Sequence, residues 1–145
     1  MGLSVAASLA NRATRDPQRT FLLHEDRPIS FGQVESRSEA LAAAFGSLGI
    51  EEGDRVALIL PPCPEFVISL FAAAKLGAVA VPLNPHLTKP ELQYMLRHSE
   101  TALAVSVENQ GGEDFLSLFD ELLPQLPELQ YVVTVGEEDL WYDDQ

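Results

Sequence analysis

Two spacings of apolar residues alternate along this chain of 145 residues. Nearly uninterrupted apolar runs occur at Val56 to Leu60, Ala78 to Leu83, Ala102 to Val107 and Tyr131 to Val135. Runs of that length predict strands covered on both faces, because a strand with one wet face alternates instead. Between them the apolar positions fall three or four apart. Phe66, Val67, Leu70, Phe71 and Ala74 predict one helix facing a single way, Leu92, Met95 and Leu96 a second, and Phe115 to Leu123 a third. Upstream, Leu3, Ala6, Ala7 and Ala10 give an amphipathic helix over Leu3 to Arg15, closed by Asp16-Pro17. A short strand at Thr20 to His24, a turn at Glu25 to Pro28, and a helix whose apolar face is Val34, Leu41, Phe45 and Leu48 follow.

Punctuation between these stretches agrees with the periods. Ser30-Phe31-Gly32-Gln33 and Thr88-Lys89-Pro90-Glu91 have capping-box spacing, in which a hydroxyl takes an orphan backbone N–H and the fourth residue returns the bond. Gly49 followed by Ile50 predicts a left-handed helix end with its hydrophobic contact. Glu51 to Asp54 is a polar turn, and Pro61, Pro62 and Pro64 end one strand and open the next helix. Phe66 to Leu83 is long enough to resemble a membrane span, but Lys75, Gly77 and Pro82 divide it into a helix and a strand. Strands alternating with helices from Val56 onward predict a single α/β segment over residues 1–145. The expected architecture is a Rossmann-like layer sandwich with a mainly parallel sheet and right-handed crossovers.

Composition adds one asymmetry. Up to Ser99 there are ten Asp or Glu and nine Lys or Arg, whereas the C-terminal third, from about residue 100, holds twelve acids and no Lys or Arg. The resulting net charge of −13 repels phosphate backbones and anionic lipid, so neither nucleic acid nor a membrane surface is an expected partner. One cysteine, Cys63, cannot form an internal disulfide, and a start without a myristoylation pattern or a long apolar leader points to the cytoplasm. No transmembrane segment is expected.

Candidate chemistry is sparse. The nine glycines form no phosphate-binding loop, and Gly111-Gly112 runs into Glu113-Asp114, which would repel a phosphate. His24, His86 and His98 are scattered without metal spacing, the pairs Glu51-Glu52 and Asp143-Asp144 lie in polar stretches, and Cys63 has prolines as neighbours and no His close in sequence to make a thiolate. From the residues alone, no catalytic group and no metal ligand is assigned.

The order of blocks nevertheless carries a resemblance. Ser30-Phe31-Gly32-Gln33-Val34, then Gly53-Asp54-Arg55-Val56, Pro64-Glu65-Phe66, and Lys75-Leu76-Gly77-Ala78 leading to Val81-Pro82-Leu83-Asn84-Pro85 resemble, in order and spacing, the N-terminal region of the adenylate-forming (AMP-binding) superfamily. The likeness runs from about Leu3 to Val107. Val81-Pro82-Leu83-Asn84-Pro85 followed by Leu87-Thr88 and Glu91-Leu92 resembles the acyl-CoA synthetase branch rather than peptide-synthetase adenylation domains, where an Asp usually stands in place of Asn84.

That resemblance implies a complete enzyme of fatty acid metabolism or a related pathway, which uses ATP, Mg and CoA to convert a small-molecule carboxylic acid to its CoA ester through an acyl-adenylate. It also implies that the phosphate loop, the ribose-binding Asp, the hinge and the catalytic Lys belong to later segments, so no cofactor is assigned to this chain. Its expected partner is the remainder of the ligase, on the same or a separate chain, and self-association is expected if that remainder is missing. In the CoA-ligase branch the turn after Asn-Pro approaches the CoA entrance. By that resemblance His86 and Lys89 become candidate contacts to a CoA phosphate. A stand-alone noncatalytic α/β binding module and the small subunit of a split ligase are the alternatives.

Overall fold

The computed structural model describes residues 5–110 and 112–135. In chain order the elements are α1 (Val5–Arg15), β1 (Thr20–His24), β2 (Arg27–Ser30), α2 (Phe31–Ser47), β3 (Arg55–Ile59), α3 (Pro64–Lys75), β4 (Val79–Pro82), α4 (Lys89–His98), β5 (Leu103–Val107), β6 (Asn109–Gln110), β7 (Glu113–Asp114), α5 (Phe115–Leu122) and β8 (Tyr131–Val135).

Strand β3 lies inside a four-stranded parallel sheet of order β4-β3-β5-β8. Because side chains alternate along a strand, Val56 and Leu58 reach one face and Ala57 and Ile59 the other, and all four are shut off from solvent. Helices α2 and α3 cover the first face, packing Ala42, Phe45, Ala72 and Ala73 on Val56, Leu58, Leu103 and Val105. Helices α4 and α5 cover the second, with Leu92, Leu96, Phe115, Phe119 and Leu122 on Ala57, Ile59 and Ala104. The expected parallel α/β sandwich is therefore observed. After β3 the chain steps to β4 on one side, then crosses back to β5 and on to β8, which with right-handed crossovers places α3 on one face and α4 and α5 on the other.

Both capping boxes form. Ser30 Oγ accepts the Gln33 N–H at 3.1 Å while Gln33 Oε1 accepts the Ser30 N–H at 2.9 Å, and Thr88 and Glu91 repeat the exchange at 3.3 and 2.9 Å. Helices α2, α3 and α4 all end in the same left-handed motif. The N–H groups of Ile50, Ala78 and Thr101 reach back to the carbonyls of Phe45, Ala73 and Leu96, across Gly49, Gly77 and Glu100 at φ of 97, 70 and 53°.

Three expectations are corrected. The turn at Glu25 to Pro28 is shorter than expected: only Glu25 and Asp26 turn, both at positive φ, and Arg27 to Ser30 pair antiparallel with β1 as a two-residue hairpin. Pro28 misled because proline disfavours strands, but in a two-stranded ribbon it stands opposite Leu23 at a position that owes the ladder no N–H. In α1 the buried anchor is Leu9 rather than the alanines, and Leu3 lies outside the described residues. In α3 the buried face is Glu65, Ile68, Ser69, Ala72 and Ala73, with Phe66, Val67, Leu70, Phe71 and Ala74 only half-buried. The helix is wedged on two sides, so its small residues take the close approach. Phe66 and Leu70 then flank the sheet cluster, while Val67 and Phe71 join the outer cluster of Leu9, Ile29, Val34 and Ile68 formed with α1 and the hairpin. There Phe21 stacks on Phe31 at 4.5 Å between ring centroids.

Candidate functional site

Open parallel sheets bind ligands beyond the carboxyl ends of their strands, at the point where the chain has left a central strand in opposite directions. Here that point lies between β3 and β5. Leu60, Pro61, Pro62, Cys63 and Glu65 continue from β3, Val107, Glu108 and Asn109 from β5, Val135 ends β8, and His24 reaches in from the hairpin tip. Together they line a cleft of about 270 Å³. A second concavity of about 390 Å³ adjoins it and shares His24, Leu60, Pro62 and Cys63, with Leu22, Leu23, Pro64, Phe66 and Val67 as apolar walls.

The geometry follows from local sequence. Pro61 and Pro62 stop β3 from continuing, and Pro64 starts α3 at a position where its missing N–H costs nothing. Glu65, 5% exposed, sits in the first turn of α3, where the helix dipole favours a negative charge. Burial, working against the Phe66 backbone N–H and helped by the neighbouring Glu65 carboxylate, pushes the Cys63 thiol up to about 11. At neutral pH the group is a thiol, not a nucleophilic thiolate. One turn further along α3, the fully buried Ser69 hydroxyl has no hydrogen-bond partner among the described residues.

The charge of this cleft has the wrong sign for nucleotide phosphates. Among the described residues its ionisable carboxylates are Glu65 and Glu108, its only basic group is His24, and no glycine loop presents backbone N–H groups to it. ATP and CoA phosphates do not fit these residues. Among the described residues no cluster of His, Cys, Asp and Glu could hold a metal ion, and no helix is long and apolar enough to cross a membrane.

The residues singled out from sequence stand at the β4-to-α4 joint, at the same end of the parallel sheet. Asn84 Oδ1 accepts the His86 N–H at 2.8 Å and the Asn84 carbonyl accepts the Leu87 N–H at 3.1 Å, which fixes the turn. His86 and Lys89 are both exposed beside the N-terminus of α4, and the Lys89 ammonium pairs with the Glu121 carboxylate of α5. The two are near neighbours in the chain, but Lys89 already has an anionic partner. Sequence reasoning missed the β3–β5 cleft itself. The Pro61-Pro62-Cys63-Pro64 break was legible, but the strand order that makes it a switch point was not.

Comparison with known proteins places this geometry. The sequence profile of the AMP-binding enzyme family matches residues 9–144. A 2,3-dihydroxybenzoate-AMP ligase of Bacillus subtilis (strain 168) is 31% identical over 129 residues, covering 89% of this chain and 24% of the ligase. A crotonobetaine/carnitine–CoA ligase of Salmonella enteritidis PT4 is 41% identical over 113 residues, 77% of this chain and 21% of its own length. Among solved structures, an anthranilate CoA ligase, AuaEII, superposes with a TM-score of 0.83 at 28% identity over 92% of this chain and 25% of its own. The N-terminal domain of FACL13 from Mycobacterium tuberculosis superposes with a TM-score of 0.76 at 26% identity over 91% and 33%. The chain thus spans about a quarter of the length of the relatives it matches. With the sequence blocks, the sheet order and these matches in agreement, the chain belongs to the AMP-binding enzyme family, where it corresponds to the N-terminal region of the acyl-CoA synthetase branch.

Proposed function

We propose that this chain is the N-terminal part of an AMP-forming acid:CoA ligase and is inactive by itself. What supports the reading is the pairing of a ligase-like sheet with a strand-end cleft that carries carboxylates where a nucleotide would need cations. The complete enzyme would bind ATP and Mg through segments outside this chain, adenylate a carboxylic acid and pass the acyl group to CoA in the cytoplasm. His86 contributes to CoA phosphate binding in that enzyme, with Lys89 joining once it exchanges Glu121 for the phosphate.

Pyrophosphate exchange with a panel of fatty and aromatic acids tests the reading. The isolated chain should give no exchange above a mock preparation, and the chain completed by its downstream polypeptide should. Turnover by the isolated chain would overturn it, and a completed protein that adenylates nothing would favour a noncatalytic module. In the active, completed enzyme, changing His86 and Lys89 together to Ala should raise the apparent KM for CoA about fivefold, the worth of roughly 1 kcal/mol of exposed charge pairing, and spare adenylation. An equal loss in both half-reactions would remove the CoA assignment.

A further inference from the structure

We infer that the amino end of the sheet carries a binding site for a small aliphatic zwitterion of the α-amino-acid class, with Arg97 taking its carboxylate and Glu100 and Glu128 its ammonium group. This site does not rest on the ligase reading above.

Just before β5 and β8 begin, the end of α4 faces the turn that leads into β8. Between them lies a cavity of about 260 Å³, with Leu96, Arg97 and Glu100 on one side and the turn from Leu126 to Leu129 on the other. Strands β5 and β8 run parallel from here to the residues that line the β3–β5 cleft, so the two concavities stand at opposite ends of the sheet.

Local sequence fixes both walls. The Leu129 N–H donates to the Leu126 carbonyl at 3.1 Å, closing a four-residue turn with Pro127 at the position its fixed φ suits. Leu126 and Leu129 anchor the ends of that turn in the core, which leaves Pro127 and Glu128 exposed at its tip. Opposite, the Thr101 N–H reaches the Leu96 carbonyl across Glu100, held at φ 53°. On an unbroken helix Arg97 and Glu100, three apart, would be neighbours on one face and could pair. The left-handed backbone at Glu100 turns its side chain away from that row, and the pair is not made.

Three charges therefore surround one small cavity, and among the described residues none of them has an ion-pair partner. Elsewhere in the chain facing charges do pair, as Lys75 does with Glu35 and Lys89 with Glu121. A guanidinium fork matches a carboxylate, and the three donors of a primary ammonium suit two carboxylates, so one molecule bearing both groups satisfies all three residues. Leu96, Leu126, Pro127 and Leu129 offer apolar surface to a short aliphatic side chain, in a volume below that of drug-sized pockets. A plain carboxylic acid would meet two carboxylates, and a plain amine would meet the guanidinium. The strain at Glu100 belongs to the same account, since Gly49 and Gly77 avoid it at the two sister helix ends and a strained side chain persists where it has a use.

The test is an amide NMR titration of the full chain with L-leucine as the probe, and with isocaproic acid and isoamylamine as its two halves. Leucine should give saturable shifts at the Glu100, Glu128 and Leu129 amides with a Kd of about 1 mM, leaving His24 and Glu108 unmoved. Each half should bind at least about tenfold more weakly. Arg97→Gln and Glu100→Gln should each weaken leucine about fivefold or more, and because both residues are exposed the circular dichroism should not change. Absence of any saturable shift up to about 20 mM leucine would overturn the proposal. Isoamylamine binding as tightly as leucine would also overturn it, by reducing the site to general attraction toward the acidic C-terminal third. Leucine binding that neither substitution weakens would place the ligand elsewhere and equally refute it.

Discussion

Glu100 holds a place that glycine holds in two sister motifs. It ends α4 at φ 53°, where Gly49 and Gly77 end α2 and α3. A side chain in the left-handed region costs about 1–2 kcal/mol through its Cβ, and glycine there gives back part of the gain as lost unfolded-state entropy. Glu100→Gly should therefore raise stability by about 0.5–1 kcal/mol, read as a higher urea midpoint at constant slope, and a lower midpoint would show that Glu100 has a structural partner the strain argument overlooks. At this scale the sequence was only partly legible. Ser30-x-x-Gln33 and Thr88-x-x-Glu91 announced their bonds because cap chemistry is local, whereas a glutamate in a glycine position carries no local signal.

Between elements, the tie that joins α2 to α3 is polar. Lys75, its side chain only 11% exposed, pairs with Glu35 of α2 and, at 3.1 Å, with Glu39. Burial pulls the Lys75 ammonium down, but the two carboxylates outweigh it and hold the group above its ordinary 10.5. Most of the benefit comes from Glu35, since Glu39 is largely in water. A lysine whose folded value is raised contributes stability that is whole below its unfolded value and lost as pH climbs through the folded one. Lys75→Met should cost about 1–2 kcal/mol at pH 7, and the gap to the parent protein should narrow above about pH 10.5. Urea unfolding at the two pH values checks this, and a gap that stays constant would assign the loss to packing. The helix periods gave α2 to α5 their places, but α3's buried face was misread because Phe66 and Phe71 outrank Ser69 and Ala72 in hydrophobicity. Once a helix is gripped from two sides, size decides which residues reach the interior. The β2 strand was obscured in the same local way, by Pro28.

For the molecule as a whole, exposed apolar surface and a net charge of −13 pull in opposite directions. The isolated chain should be monomeric in dilute buffer at low ionic strength and associate as salt approaches about 1 M, where the screening length falls to roughly 3 Å. Light scattering after gel filtration measures it, and association that weakens with salt would mean that charge pairing rather than exposed apolar surface drives it. The parallel sheet was legible from apolar runs alone, but which strands adjoin was not, because strand order is set by crossovers that leave no period in the sequence. The cleft followed the same fate: its proline break could be read, its position could not. The central place of β3 has one more outcome, in time rather than in space. Its first neighbour pairs Arg55 with Val79 and its second pairs Val56 with Leu103, so on a ribosome adding about 5–20 residues per second β3 waits some seconds between them. The strand that finishes among the most enclosed is, during synthesis, left with a bare flank until α4 and β5 have been made.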